Sequence, residues 1–247
     1  MYGWRSRIGI IYGVGFTDHE FYQCAPEGVS VHITRATTPG KSMFELPPEI
    51  KTGDAFVDEV ARCARDVAKM KPQAILWGST SGSFAAPDGG SGRTWDEKLK
   101  KAMQGATGIR STTTSSSVVA ALNAFGAKKV VIASPYKPEA EAKFKAYLGE
   151  HGVDVLKMRG LACEDVWEIG NLGPEVAYRT AMEALRPDAD AIVIGETSFR
   201  TIEVLEAIEK DSGKPVVAAS IASMWHAIRL SGVRGPQPRL GRLFREF

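Results

Sequence analysis

The sequence is poor in the residues that hold metals, staple chains or cross membranes. It has three cysteines, Cys24, Cys63 and Cys163, without CxxC spacing, and an odd number of them argues against a disulfide framework. Cys63 falls in VARCARDVA, a helical pattern in which a small buried thiol is the plain expectation. Of the four histidines, His19, His32, His151 and His226, no two stand at the HxxxH spacing that puts both on one helix face, so no metal site is expected. No apolar run approaches the ~20 residues that cross a bilayer. The opening MYGWRSRIGIIYG is apolar only over the length of a strand, unlike the core of a signal peptide. Blocks of like charge are also missing: Lys and Arg are interspersed with Asp and Glu to a net charge of +2, which excludes the basic footprint of a nucleic-acid or anionic-membrane binder. The expectation is a cytoplasmic protein with neither nucleic acid nor membrane as partner.

What the sequence does contain is an alternation. Apolar, β-branched runs at 7–13, 29–35, 73–78, 128–134, 153–160, 190–195 and 214–220 read as strands bounded by Gly, Pro or polar residues. Between them, 53–70, 94–107, 115–125, 137–152, 173–185 and 202–213 carry apolar residues at three- and four-residue spacings and read as amphipathic helices. Strands alternating with helices predict an α/β protein with largely parallel sheets. With 247 residues and 44% hydrophobic content, the chain is long enough for one large core or two smaller ones.

A weak internal repeat sharpens this. RIGIIYG opens one series and KKVVIASPY a second, and each leads on to a strand that ends in G-x-T-S, as QAILWGSTS and DAIVIGETS. Laid over each other, Gly78 matches Gly195 and Ser79 matches Glu196. Two similar α/β halves, each with a polar loop at a strand's C-terminal end, would face each other across a cleft where open parallel sheets bind ligands.

The ordered set RIGIIYG, CAPEGVSVHITR, ILWGSTSGSF, ATGIRSTTTSSSVVAALNAFGAKKVVIASPY, AIVIGETSFRT, GKPVVAASIASMWHAIRLSG and a closing GRLF resembles the maleate cis-trans isomerase and arylmalonate decarboxylase group of the aspartate/glutamate racemase superfamily. The resemblance covers nearly the whole chain. It implies two similar α/β domains related by pseudo-twofold symmetry, sandwiching a small carboxylate or carbonyl substrate, with no metal or organic cofactor and with a homo-oligomer possible. The domains would be 1–117 with 218–247, and 118–217. In that group a cysteine stands on each loop, as C-T-S and C-T-N, and arylmalonate decarboxylases keep only the second. Here the two places are held by Ser79 and Glu196.

That exchange sets the chemistry open to the chain. A serine hydroxyl, whose pKa lies far above ~10, is no general base at neutral pH without help, which weakens two-base racemisation; the missing thiols weaken isomerisation through a cysteine adduct. A carboxylate able to exchange protons would remain on one side, with a hydroxyl on the other. Thr80, Ser81 and Ser83 in the first loop, and Thr197 and Ser198 in the second, offer hydroxyls and N–H groups for a carboxylate or an enolate oxyanion; each also reads as an ordinary cap or turn residue. Tyr136 in SPYKPE sits where the resemblance places a substrate-binding tyrosine, and Thr113 to Ser117 would line the wall between halves.

Three functions therefore stay open: carbon-acid chemistry through an enolate with Glu196 as acid/base and Ser79 opposite; hydrolysis of a small amide, lactone or imide with Ser79 as nucleophile or Glu196 activating water; and a binder without catalysis. Two segments depart from the group. The loop YGVGFTDHEF lacks the asparagine of the family's N-T-T-x-E-like segment, so Asp18, His19 and Glu20 are candidate replacements, with His19 reading as a solvated loop residue. PDGGSGRTW (87–95) lacks the Lys-Ser/Thr of a phosphate loop and reads as a mobile flap over the cleft.

Overall fold

A computed structural model of the chain describes residues 3–15, 17–37, 54–237 and 239–247. Two sheets of four strands each form its frame. In the first, β1 (Ser6–Tyr12), β2 (Val29–Arg35), β3 (Ala74–Trp77) and β4 (Ser111–Thr113) lie in the order β2-β1-β3-β4. In the second, β5 (Lys129–Ser134), β6 (Asp154–Gly160), β7 (Ala191–Ile194) and β8 (Val216–Ala218) lie in the order β6-β5-β7-β8. Every pairing is parallel. The chain thus builds the same sheet twice, as its internal repeat predicts. AILW in β3 and AIVI in β7 are buried at every residue, the pattern of strands covered on both faces by crossover helices.

Those helices are α1 (Asp18–Gln23), α2 (Asp54–Ala68), α3 (Thr80–Phe84), α4 (Gly92–Thr107), α5 (Thr114–Ala124), α6 (Pro138–Glu150), α7 (Val166–Gly170), α8 (Pro174–Ala184), α9 (Leu205–Ser212), α10 (Ala219–Leu230) and α11 (Gly241–Glu246). In α2 the buried residues Phe56, Val60, Cys63, Ala64 and Val67 recur every third or fourth position and form the face laid on the first sheet. Gly53, where the first expected helical run begins, lies outside the described residues, as does Phe16 between β1 and α1. One hydrophobic cluster runs without a break from Ile8, Ile10 and Leu76 of the first sheet to Ile132, Val193 and Val217 of the second. Helices α5 and α10 pack on each other within it; α10 also touches β1, β3 and β4, while α11 returns to α9 and β8.

The structure corrects the sequence reading at four places. The run 214–220 is a strand only over Val216–Ala218, because α10 begins at once with Ala219. Its partner in the first sheet, β4, is equally short and lies just before the helical pattern of α5, too brief to give a period of its own. The segment around His19 is a helix rather than a loop, although His19 itself is exposed and, among the described residues, hydrogen-bonded to Gln23. The Gly-rich insert does not hang over the cleft. Ser91 caps α4 by accepting from Thr94 N, and the Ser91 hydroxyl and Arg93 N both donate to Glu150 at the far end of α6, at 3.0 and 2.7 Å. That end of α6 is opposite to the one that leaves β5, so the insert ties the two halves together away from the strands' C-terminal ends.

Two glycines in α4 test this packing in opposite directions. A Cβ on Gly92 would stand 2.5 Å from the Phe84 carbonyl oxygen, so Gly92→Ala is expected to destabilise by about 1–3 kcal/mol. Gly105, inside the same helix with nothing within 4 Å, should gain about 0.5–1 kcal/mol as Ala. Urea unfolding midpoints of the two variants, moving in opposite directions, check both.

Candidate active site

The strand registers put Ser79 and Glu196 at equivalent places. Ile8 to Ile11 of β1 pair with Ala74 to Trp77 of β3, and Val130 to Ala133 of β5 pair with Ala191 to Ile194 of β7. One residue on, Gly78 N donates to Ile11 O at 2.9 Å and Gly195 N to Ala133 O at 3.1 Å. Both glycines lie beneath a phenylalanine: a Cβ would meet the Phe21 ring at 3.0 Å in one case and the Phe144 ring at 3.1 Å in the other. The next residue in each loop is Ser79 or Glu196, at the C-terminal end of a central strand.

Glu196 is 7% exposed, and its carboxylate is nonetheless fully coordinated. Tyr136 donates its phenol proton to Oε2, Thr197 Oγ1 donates to Oε1 at 2.9 Å, and Ser198 N donates to Oε1 at 3.1 Å. Burial pushes the Glu196 pKa above its ordinary 4.5, against the opposing pull of those hydrogen bonds. The Tyr136 phenol is itself pushed well up, by burial and then by the adjacent Glu196 charge, and also reaches Gly195 O at 2.9 Å. The arrangement holds a carboxyl group that carries its proton to higher pH than a solvated one.

The first loop is built differently. Ser79 is the N-cap of α3, with extended backbone, and its Oγ accepts from Gly82 N at 3.2 Å. Among the described residues no imidazole, amine or carboxylate is hydrogen-bonded to it. Thr80 is fully buried; among the described residues no hydrogen bond of ordinary geometry joins its hydroxyl to a neighbour, though it sits near enough to the Tyr136 phenol to favour the phenolate. The Tyr136 ring meets Phe84 of α3 edge-on at 5.8 Å, so this one tyrosine touches the first loop's helix and the second loop's carboxylate together. Ser81 is half-buried on α3 and, among the described residues, is bonded through its side chain to neither.

The hydroxyls expected along the wall are occupied in structure. Ser83 and Ser115 bond each other at 2.7 Å, while Thr113 and Ser116 donate to the buried Asp96 of α4, which also takes the Tyr147 phenol of α6 at 3.1 Å. Thr112 and Ser117 lie 3.0 and 3.2 Å from His226 Nδ1, and burial pushes that imidazole down to about 4. Among the described residues no three His, Cys, Asp or Glu side chains are grouped to hold a metal ion, and no helix is long and apolar enough to cross a membrane.

Sequence reasoning missed Tyr12 and Thr17. Tyr12 ends β1, and its hydroxyl lies 2.6 Å from Thr17 Oγ1 and 3.0 Å from Ser198 Oγ, beside Glu196. Gly15, at φ +133°, comes so close that a Cβ would stand 2.2 Å from the Tyr12 oxygen. The available signal was its position: the last residue of a central strand in a parallel sheet points at the ligand end.

Two repeated parallel sheets with a polar loop at each central strand define the class as an α/β fold with paired loops at the strand ends. The chain belongs to the arylmalonate decarboxylase family, whose model matches residues 42–244. It is 29% identical to an arylmalonate decarboxylase of Bordetella bronchiseptica over 78% of this chain and 80% of that protein, and 28% identical to a maleate isomerase of Nocardia farcinica over 75% and 74%. A crystal structure of arylmalonate decarboxylase superposes with a TM-score of 0.80 at 25% identity, covering 96% of this chain and 98% of that one. A Nocardia farcinica maleate cis-trans isomerase carrying a covalently bound succinylcysteine intermediate superposes with a TM-score of 0.83 at 23% identity, over 98% and 99% of the two chains. In this chain Cys24, Cys63 and Cys163 are free and buried, and none lies in either loop.

Glu196→Gln tests the burial of the carboxyl group without reference to turnover. The folded pKa is raised, so the stability contributed by Glu196 is fully present below its ordinary 4.5 and is lost as pH rises through the folded value. Glutamine does not titrate, and Tyr136, which already reaches Gly195 O, can accept its amide N–H. The variant's melting temperature relative to the parent should therefore climb as pH rises above the ordinary 4.5 and level off once the folded carboxyl group is ionised; a flat difference would mean a solvated Glu196.

Proposed function

We propose that the chain is a cofactor-independent carbon-acid enzyme of decarboxylase, isomerase or racemase type, acting on a small carboxylate through an enolate, with Glu196 as acid/base and Ser79 opposite it as hydrogen-bond donor. The halves that close on the substrate would be 1–117 with 218–247, and 118–217. The observation that carries this reading is the buried carboxyl group of Glu196, held by Tyr136, Thr197 and Ser198 with its pKa raised. A carboxylic acid kept protonated toward neutral pH is what a carbanion needs as a proton donor.

For a malonate-type diacid the steps balance without a redox partner. The bond from the α-carbon to one carboxylate breaks, CO₂ leaves, and the electron pair stays as an ene-diolate. Donors from Ser79, Thr80 and Ser81 on one side, and from Tyr136, Thr197 and Ser198 on the other, would hold its oxygens. Protonated Glu196 then delivers its proton to the α-carbon and regains one from water. Family membership and the relatives named arylmalonate decarboxylase and maleate isomerase support a reaction of this class. The absence of a bonded base at Ser79 among the described residues argues for a donor there and against a nucleophile.

Arylmalonate and maleate are the first substrates to try. Glu196→Gln should lower turnover by several orders of magnitude, whereas Ser79→Ala should cost only about 10²–10³-fold, as a lost donor does. Product formed in D₂O should carry deuterium on carbon. Equal damage from both variants together with no carbon-bound deuterium would establish the hydrolase with Ser79 as nucleophile instead.

A further inference from the structure

The turn that carries Glu196 is held by the opposite half of the molecule at two points. Residues 196–204 form no helix until α9 begins at Leu205, so their placement depends on what grips them from outside. At one point the Tyr12 hydroxyl at the end of β1 and the Thr17 hydroxyl close a triangle with Ser198 Oγ, with sides of 2.6, 3.0 and 3.3 Å. At the other, Glu20 of α1 reaches across: Oε1 accepts from Thr201 N at 2.7 Å and Ile202 N at 3.1 Å, while Oε2 takes the Ser220 hydroxyl of α10. All of these side chains are buried. By contrast, the bonds that Glu196 itself receives, from Tyr136, Thr197 and Ser198, come from its own half.

We infer that Tyr12, Thr17 and Glu20 are positioning residues, a latch by which the β1–α1 segment of the first half seats the 196–202 turn and so keeps the Glu196 carboxyl in its dry, reactive place. The inference rests on the reading of Glu196 as the acid. Releasing the latch would admit water to the turn while leaving the local bonds to the carboxylate in place, so the effect falls on the burial of Glu196 and not on its partners. Among the described residues, the titratable groups that face Glu196 are the two phenols, Tyr12 and Tyr136, both pushed upward and neutral over the range concerned. Those around Glu20 are Glu203, Arg200 and the buried Cys24.

The glutamate's geometry supplies its own control. Glu20→Gln keeps an oxygen for Thr201 N and Ile202 N and an amide for the Ser220 oxygen, whereas Glu20→Ala keeps neither. Infrared titration of the full chain, with the Glu196→Gln spectrum subtracted, isolates the Glu196 carboxyl band and needs no substrate. Its midpoint should fall by about one pH unit in Tyr12→Phe, Thr17→Val and Glu20→Ala, and stay at the parent value in Glu20→Gln. With arylmalonate, kcat should drop about 10- to 100-fold in the first three while KM moves little. Unmoved midpoints in folded Tyr12→Phe and Thr17→Val would overturn the latch even if Glu20→Ala does not fold. Moved midpoints combined with full activity of Glu196→Gln would uphold the latch and overturn the reading of Glu196 as the acid.

Discussion

The desolvation of one carboxyl group organises the site. Glu196 stands at the end of a strand buried on both faces, is itself buried, and each of its oxygens is reached by a donor. Because those donors stabilise the ion and burial destabilises it, the balance is set by how tightly the surrounding elements close. Tyr136 is the member that makes this a property of the whole fold. Its phenol sits on the carboxylate, and its ring rests on Phe84, which in turn stacks on Phe144 of α6 at 4.9 Å. A shift of α3 against α6 would therefore be felt at Glu196 through one rigid ring.

Much of the architecture was legible because the two halves repeat. The alternation of buried runs with amphipathic stretches gave the strands and helices that are long enough to show a period, and the matching G-x-T-S loops gave the equivalence of positions 79 and 196 that the registers bear out. The three-residue strands β4 and β8 were illegible or overrun because each passes directly into a helix, so that TTTSSSVV and VVAASIAS change period within a few residues. The hydroxyl-rich run from Thr113 to Ser117 invited a role in binding. Composition does not reveal that Asp96, a helix and a loop earlier, would take up two of those hydroxyls.

Within the site, the residues that lie next to each other in sequence were visible and those brought in from the other half were not. Thr197 and Ser198 flank Glu196 and follow from the motif. Tyr12 comes to Ser198 from 186 positions away; Glu20 was named as a candidate polar group, but its reach to Thr201, 181 positions on, is a contact that only the docking of two halves creates. Glu20 also explains why an acid is tolerated in a buried helical turn: it caps backbone N–H groups that a solvent-free turn would otherwise leave unpaired. The same need accounts for Asp96, whose burial is offset by donors from Thr113, Ser116 and Tyr147 on two other helices and a strand.

Under the proposed carbon-acid reaction, the equivalence of Ser79 and Glu196 would carry a consequence for the shape of the product. A planar enolate lying between two symmetry-related loops presents a different face to each. With a proton donor on both loops, either face can be protonated, and a new stereocentre is scrambled. Here one loop ends in a carboxyl group and the other in a hydroxyl with no base bonded to it among the described residues. If the proton comes from Glu196, it arrives always from the same side, and the asymmetry between two otherwise matching loops is written into the handedness of every molecule released.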